Sequence, residues 1–136
     1  MKALMKHLTI LKPVILYTLA LVLFSACTNN TNTRDISATD LVNQLGHSNI
    51  LILDVRSPQE YAAGHVPGAI NLPHTSVASQ IKTLQKHKNE TIVLYCKSGY
   101  RASIAEQTLA DAGFKQLLHL DGDMDGWQAG NYPIEK

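Results

Sequence analysis

Cys96 stands where two sequence patterns meet. The apolar run Thr91-Ile92-Val93-Leu94-Tyr95 ends on it, the loop Cys96-Lys97-Ser98-Gly99-Tyr100-Arg101 begins with it, and a helical pattern follows. This spacing puts a thiol at the carboxyl end of a strand and the amino end of a helix. Unpaired backbone N–H groups and the helix dipole favour a thiolate there. Such a sulfur is a nucleophile. Ser98 and Gly99 allow a tight path that aims several amides at one point, with Gly99 free to take backbone angles denied to larger residues. Arg101, five positions after Cys96, can close this cradle or neutralise an anion in it, and Lys97 adds a positive charge at the rim. A helix end alone contributes only about 0.3–1 kcal/mol to an exposed charge, so the amides and Arg101 must act with it. The plainer reading of both cations is an ordinary solvent-facing charge.

The other cysteine has a different setting. Lys2, Lys6 and Lys12 precede an apolar run from Val14 to Phe24, and Ser25-Ala26-Cys27 follows it. The run is shorter than the roughly 20 residues of a spanning helix, and it reads as an export signal over residues 1–26. Leu23-Phe24-Ser25-Ala26-Cys27 resembles the lipobox of bacterial lipoproteins, although Phe24 stands where an aliphatic residue is usual. The resemblance implies lipidation at Cys27, which would then be the first residue of the mature chain. Thr28, where an aspartate would signal retention at the inner membrane, favours the outer one. Polar residues follow, and 27–35 is read as lipid attachment and tether. The expected location is the bacterial cell envelope. There the protein would be lipid-anchored on the periplasmic or extracellular side, or periplasmic if the signal is cleaved conventionally.

Loss of residues 1–26 turns a formal charge of +1 into nine Lys/Arg against eleven Asp/Glu, a net −2. No basic patch survives, which argues against nucleic acid as a partner. Lipidation would also leave Cys96 as the one free thiol and exclude an internal disulfide.

Around Cys96 the chain alternates short apolar runs with helical segments, the pattern of an α/β domain with a predominantly parallel central sheet flanked by helices. Ser37-Ala38-Thr39-Asp40 caps a helix carrying Leu41, Val42 and Leu45. Asn49 to Val55 is a strand covered on both faces, with Asp54 and Arg56 at its carboxyl end, where functional loops gather. Ser57-Pro58-Gln59-Glu60 has the form of a capping box for a short helix ending at Gly64. Ala69–Leu72 and 115–120 are further strands, and 76–86 a helix. Another helix spans 102–112, with Ile104, Ala105, Thr108, Leu109 and Ala112 on its core face. The segment Asp121–Gly126 reads as turns, and Trp127 as a core plug.

Asp54 and Arg56 are assigned to organising the neighbouring loop. Glu60 pairs with Arg56 or simply completes its cap. His65 is assigned to the scaffold of its turn, and Tyr100 lines the mouth of the site or stands exposed. His74, His87 and His119 lack a metal-ligand spacing, and Asp121, Asp123 and Asp125 lack the terminal glutamate of a calcium loop, so no metal is expected.

The cysteine loop is similar to the active loop of a rhodanese domain. Two further stretches carry the resemblance. Leu53-Asp54-Val55-Arg56-Ser57-Pro58-Gln59-Glu60-Tyr61 with Gly64-His65-Val66-Pro67-Gly68-Ala69-Ile70-Asn71-Leu72-Pro73 resembles the amino-terminal signature, and Gly122, Trp127, Gly130 and Pro133 the closing one. The resemblance covers 36–134, leaving 135–136 as a tail. It implies a thiosulfate sulfurtransferase in which Cys96 takes sulfur from thiosulfate or another sulfane-sulfur donor, becomes a transient persulfide, and passes that sulfur to cyanide, thioredoxin, glutathione or another thiol. No cofactor is implied, and a monomer is expected. The six residues from Cys96 through Arg101 favour sulfur transfer over the wider, seven-residue cradle of related phosphatases and arsenate reductases. The alternative is a persulfide-carrying or sulfur-sensing module that binds a partner protein and has little turnover on small donors.

Overall fold

The two clearest apolar runs of the sequence become neighbouring strands at the centre of the sheet. The computed structural model describes residues 33–47 and 49–136. In chain order these form β1 (Arg34–Ile36), α1 (Ala38–Gln44), β2 (Ile50–Asp54), α2 (Pro58–Ala63), β3 (Ile70–Asn71), α3 (Val77–Leu84), β4 (Thr91–Tyr95), α4 (Tyr100–Asp111), β5 (Leu117–Leu120) and α5 (Asp123–Ala129). The five strands form one sheet in the order β1-β5-β4-β2-β3. Every pairing is parallel.

Strand alternation divides the core into two layers. Leu51, Leu53 and Val55 share a face with Ile92, Leu94 and Cys96, and helices α3 and α4 cover it through Val77, Leu84, Ala102, Ala105 and Leu109. On the other face Ile52, Val93 and Tyr95 meet Leu41 of α1 and Met124 and Trp127 of α5. Both layers being closed explains why β2 and β4 are apolar at consecutive rather than alternate positions. It also places Cys96, the next residue after β4, on the α3/α4 side at the carboxyl edge of the sheet.

Local signals fix the helix starts. The Ser57 side chain accepts from the Glu60 N–H while the Glu60 carboxylate accepts from the Ser57 N–H, the reciprocal cap expected from the sequence. Ser37 caps α1 by accepting from Asp40.

Several elements differ from the sequence reading. Arg34–Ile36, assigned to the tether and the first residue of the domain, is an edge strand in register with Leu118–Leu120. Three residues are too few to show a strand period, so pairing with β5 is what makes them a strand. At the other end Glu135, assigned to a tail, exchanges backbone hydrogen bonds with His65. The segment after Gly122 is a seven-residue helix rather than a run of turns. Helix α4 begins at Tyr100, so the end of the cysteine loop is already helix. Its buried face holds Ala102, Ala105, Glu106 and Leu109, whereas Ile104 is 39% exposed. Glu106 displaces Ile104 from the interior because a half-buried partner, His119, awaits it on β5.

No helix among the described residues is long and apolar enough to cross a membrane. Cys27 and the export signal lie outside the described residues.

Trp127 anchors α5. Its side chain is fully buried, Nε1–H donates to the Pro133 carbonyl at 2.7 Å, and its ring meets Tyr132 at 5.0 Å between centroids. Trp127→Ala should therefore lower the unfolding free energy by about 3–5 kcal/mol in denaturant titration. A loss below about 1 kcal/mol would show that α5 is not held by this plug.

Candidate active site

The strand β4 ends in a loop whose backbone polar groups face in two directions. The amides of Met124 and Asp125, in the first turn of α5, donate to the carbonyls of Cys96 and Lys97 at 3.1 Å each. The Cys96 N–H donates to Asp123 Oδ1 at 2.7 Å. With these groups committed to α5, the next amides are free to turn the other way. Gly99 N–H donates to Cys96 Sγ at 3.1 Å. The N–H groups of Lys97, Ser98, Tyr100 and Arg101 have no acceptor among the described residues.

Such geometry needs glycine at position 99. Its φ is 101°, in the region that side chains disfavour, and an added Cβ would lie 3.3 Å from Asp123 Oδ2. Cys96 is 2% exposed, so its sulfur sits within the cradle rather than above it. Lys97, Ser98 and Tyr100 are exposed, Tyr100 to 77%.

Two ion pairs flank the loop. Arg101 and Glu60 form a two-pronged contact, Nη1 to Oε2 at 2.7 Å and Nη2 to Oε1 at 2.8 Å. The hydrogen bonds from Arg101 hold the Glu60 carboxyl well below its ordinary range, with the Ser57 cap adding to the effect. The same pair raises Arg101, and the nearby Cys96 sulfur contributes in the same direction. Glu60 thus completes its cap and pairs with Arg101. It does not form the direct pair with Arg56 that the sequence left open. Lys97 reaches Asp125 of α5 at 2.5 Å.

Asp54 and Arg56 form a buried pair behind the site. Arg56 donates to both Asp54 oxygens and to the Gly64 carbonyl, and Tyr95 Oη donates to Asp54 Oδ2. Burial would favour loss of the Arg56 proton, but the hydrogen bonds and charge of Asp54 outweigh it and raise the group. Burial and the Asp54 charge push Tyr95 ionisation far above its usual range, so its hydroxyl remains a donor. Asn71 then spans the Asp54 and Arg56 carbonyls. This network joins β2, β3, β4 and the end of α2. His65 belongs to the same scaffold, stacked on Tyr61 at 3.7 Å and bonded through Nδ1 to the Tyr61 carbonyl.

A cavity of about 180 Å³ opens beside the loop, lined by Arg56, Glu60, Lys97, Met124, Asp125 and Gln128 among others. A larger groove of about 350 Å³ lies between β3 and α3, lined by Ile70, Leu72 and Leu84 among others, with Cys96 not among its walls. No cluster among the described residues is arranged to hold a metal ion.

Sequence reasoning missed the residues that hold the loop from behind. Sequence spacing places Asp123 in a turn and His119 in a strand, rejects both as metal ligands and gives Glu106 no role, since nothing in it shows that α4, β5 and α5 converge under Cys96.

A parallel α/β sheet with a cysteine loop between strand and helix defines the class of protein. The rhodanese-like domain model matches residues 37–130, and the chain belongs to that family. Among curated relatives, a sulfurtransferase of Allochromatium vinosum is 30% identical over 102 residues, 74% of this chain and 94% of the relative. Thiosulfate sulfurtransferase GlpE of Pseudoalteromonas translucida is 28% identical over 71% of this chain and 90% of its own length. An HTH-type transcriptional regulator of Mycobacterium tuberculosis is 32% identical over 74% of this chain, which spans only 44% of that longer protein. In structure, a rhodanese-related protein from Thermoplasma volcanium superposes with a TM-score of 0.66 at 26% identity, covering 75% of this chain and 97% of the other.

The Glu60–Arg101 pair sets an acid dependence. A carboxyl lowered from its ordinary value near 4.5 stabilises the fold above that pH and loses the contribution as pH falls below it. Because both side chains are partly exposed, the pair is worth about 1 kcal/mol at most. Urea midpoints of wild type and Glu60→Gln should differ at pH 7 and converge below about pH 4.5, and a gap that stays constant to pH 3 would contradict the assignment.

Proposed function

We propose that this protein is a sulfurtransferase that carries sulfane sulfur on Cys96. The observation that carries the reading is the Gly99 N–H aimed at Sγ at 3.1 Å, within a loop whose neighbouring amides have no protein acceptor among the described residues. Amides so placed stabilise an anionic sulfur, whether the thiolate or the terminal atom of a persulfide.

In the first half-reaction the Cys96 thiolate attacks the outer sulfur of thiosulfate or a related donor. An S–S bond forms at Cys96 as the donor's S–S bond breaks, and sulfite leaves with the bonding electron pair. In the second, cyanide or the thiolate of an acceptor such as glutathione or thioredoxin attacks the terminal sulfur. That bond breaks in turn and its electron pair returns to Cys96, giving thiocyanate or an acceptor persulfide. Such a cycle is covalent catalysis with two half-reactions and predicts ping-pong kinetics.

Each neighbour has a place in this cycle. Lys97, Ser98, Gly99 and Tyr100 supply cradle amides. Arg101, oriented by Glu60, adds positive charge beside the sulfur, and Asp54 and Arg56 brace the β2 end of the site. The names of the sulfurtransferase relatives support the reaction class, and the six-residue interval from Cys96 through Arg101 favours sulfur over a tetrahedral oxyanion.

The protein works as a monomer tethered to the bacterial envelope through lipidated Cys27. Support for the tether comes from the sequence alone. The lipobox-like ending is followed by the polar residues Thr28–Thr33 before β1 begins at Arg34.

Treatment of reduced protein with thiosulfate should add about 32 Da by intact-mass analysis, the mass of one persulfide sulfur. Cyanide should remove it, and Cys96→Ser should not acquire it. A reduced wild-type protein that gains no cyanide-labile mass would overturn the reaction. Steady-state assays with cyanide, thioredoxin and glutathione separate a turning-over enzyme from a persulfide carrier, and turnover with at least one acceptor is expected. For the anchor, expression of the full chain should place wild type in the membrane fraction and Cys27→Ala in the soluble one, whereas equal partitioning would refute lipid attachment.

A further inference from the structure

Beneath the cysteine loop lies a charged network of two buried carboxylates and a half-buried histidine, with no part in the cycle just described. Glu106 comes from α4, His119 from β5 and Asp123 from the start of α5. Glu106 and Asp123 are 6% and 4% exposed. His119 Nδ1 faces Glu106 Oε1 at 2.5 Å, and Nε2 faces Asp123 Oδ2 at 3.0 Å. Ionised carboxylates only accept hydrogen bonds, so an imidazole placed between two of them is satisfied only when both nitrogens carry protons. In keeping with this, the hydrogen bonds of Asp123 and Glu106 outweigh burial and push His119 up to about 10. His119 is therefore a cation at neutral pH.

This arrangement leaves Asp123 Oδ1 for the loop. That oxygen accepts the Cys96 N–H at 2.7 Å, while Gly99 packs against both partners. A Cβ at position 99 would stand 3.3 Å from Asp123 Oδ2 and 3.8 Å from the His119 ring. Asp123 also has a φ of 51°, an uncommon backbone state that aspartate tolerates better than most residues. Without the imidazolium, the Asp123 and Glu106 carboxylates would face one another across the site with no counter-charge, and Asp123 would swing away from the loop. That movement weakens its hold on Cys96.

We propose that His119 is a positioning residue for sulfur transfer: clamped between Glu106 and Asp123, it fixes the carboxylate that holds the Cys96 N–H, and so keeps the loop amides aimed at Sγ. It touches neither donor nor acceptor. This inference rests on the persulfide reading for its kinetic consequence, but its structural consequence stands independently of it.

Two readouts on the full chain separate these. Amide hydrogen exchange by NMR reports the loop directly. Protection at Cys96 and Gly99 should fall at least tenfold in His119→Ala and Asp123→Ala while the remaining sheet amides stay protected. Asp123→Asn, whose amide oxygen can still accept from Cys96, should recover most of that protection. The single-turnover rate of adduct formation with thiosulfate should fall about tenfold in the same two alanine variants, as expected for loss of the acceptor that holds the Cys96 N–H, and recover in part in Asp123→Asn, which keeps the acceptor without its charge. If His119→Ala does not fold, Glu106→Gln, which keeps the side-chain shape and removes one carboxylate from the imidazole, should show a smaller change in the same direction. Wild-type protection and wild-type rate in the folded variants would overturn the inference. A wild-type protein that forms no adduct would sink the persulfide reading instead, leaving the exchange data to decide the role of His119.

Discussion

The structure turns on how the backbone between Cys96 and Tyr100 shares out its polar groups. A loop at the end of a buried parallel strand must satisfy its amides and carbonyls somewhere, since unpaired buried groups are costly. Here α5 takes the Cys96 and Lys97 carbonyls and Asp123 takes the Cys96 N–H. The sharing is one-sided, and so it leaves the Gly99 N–H on the sulfur and its neighbouring amides without a protein acceptor among the described residues. Trp127 and the Tyr132 ring hold α5 against the sheet, which links a core side chain to the orientation of amides at the site.

Charge around the loop is paired throughout. Lys97 meets Asp125, Arg101 meets Glu60, Arg56 meets Asp54, and His119 lies between Glu106 and Asp123. An approaching anion therefore encounters little net positive field from side chains, in keeping with the slight acidity of the chain beyond residue 26. The attraction must act at short range, through amide dipoles and the partly exposed Arg101 beside the sulfur. Attraction of this range suits a small anion able to enter the cradle and not a large polyanion.

Much of this was legible in sequence wherever the cause was local. The Ser57–Glu60 cap, the apolar strands β2 and β4, the glycine at position 99 and the thiol at a strand–helix junction all follow from neighbours within a few residues. What was not legible depends on distant pairing. Arg34–Ile36 carries no period of its own and becomes a strand only beside Leu118–Leu120. Glu60 and Arg101 are 41 positions apart, so their pairing emerges only when α2 and α4 are brought to one end of the sheet. Ile104 fits the helical period better than Glu106 does, but the half-buried His119 on β5 reverses that preference. Asp123 looked like a turn residue, and its bond to Cys96 spans 27 positions.

The central claim is that the loop amides, rather than a side-chain base or a metal, hold sulfur on Cys96. A high-resolution crystal structure of the thiosulfate-treated protein tests it directly. The account predicts a terminal sulfur bonded to Sγ and surrounded by the N–H groups of residues 97–101, with nitrogen-to-sulfur distances of roughly 3.5 Å or a little less, near the upper limit of ordinary hydrogen-bond contacts. An unmodified Cys96, or a persulfide whose terminal sulfur turns out of the cradle with those amides directed elsewhere, would contradict it.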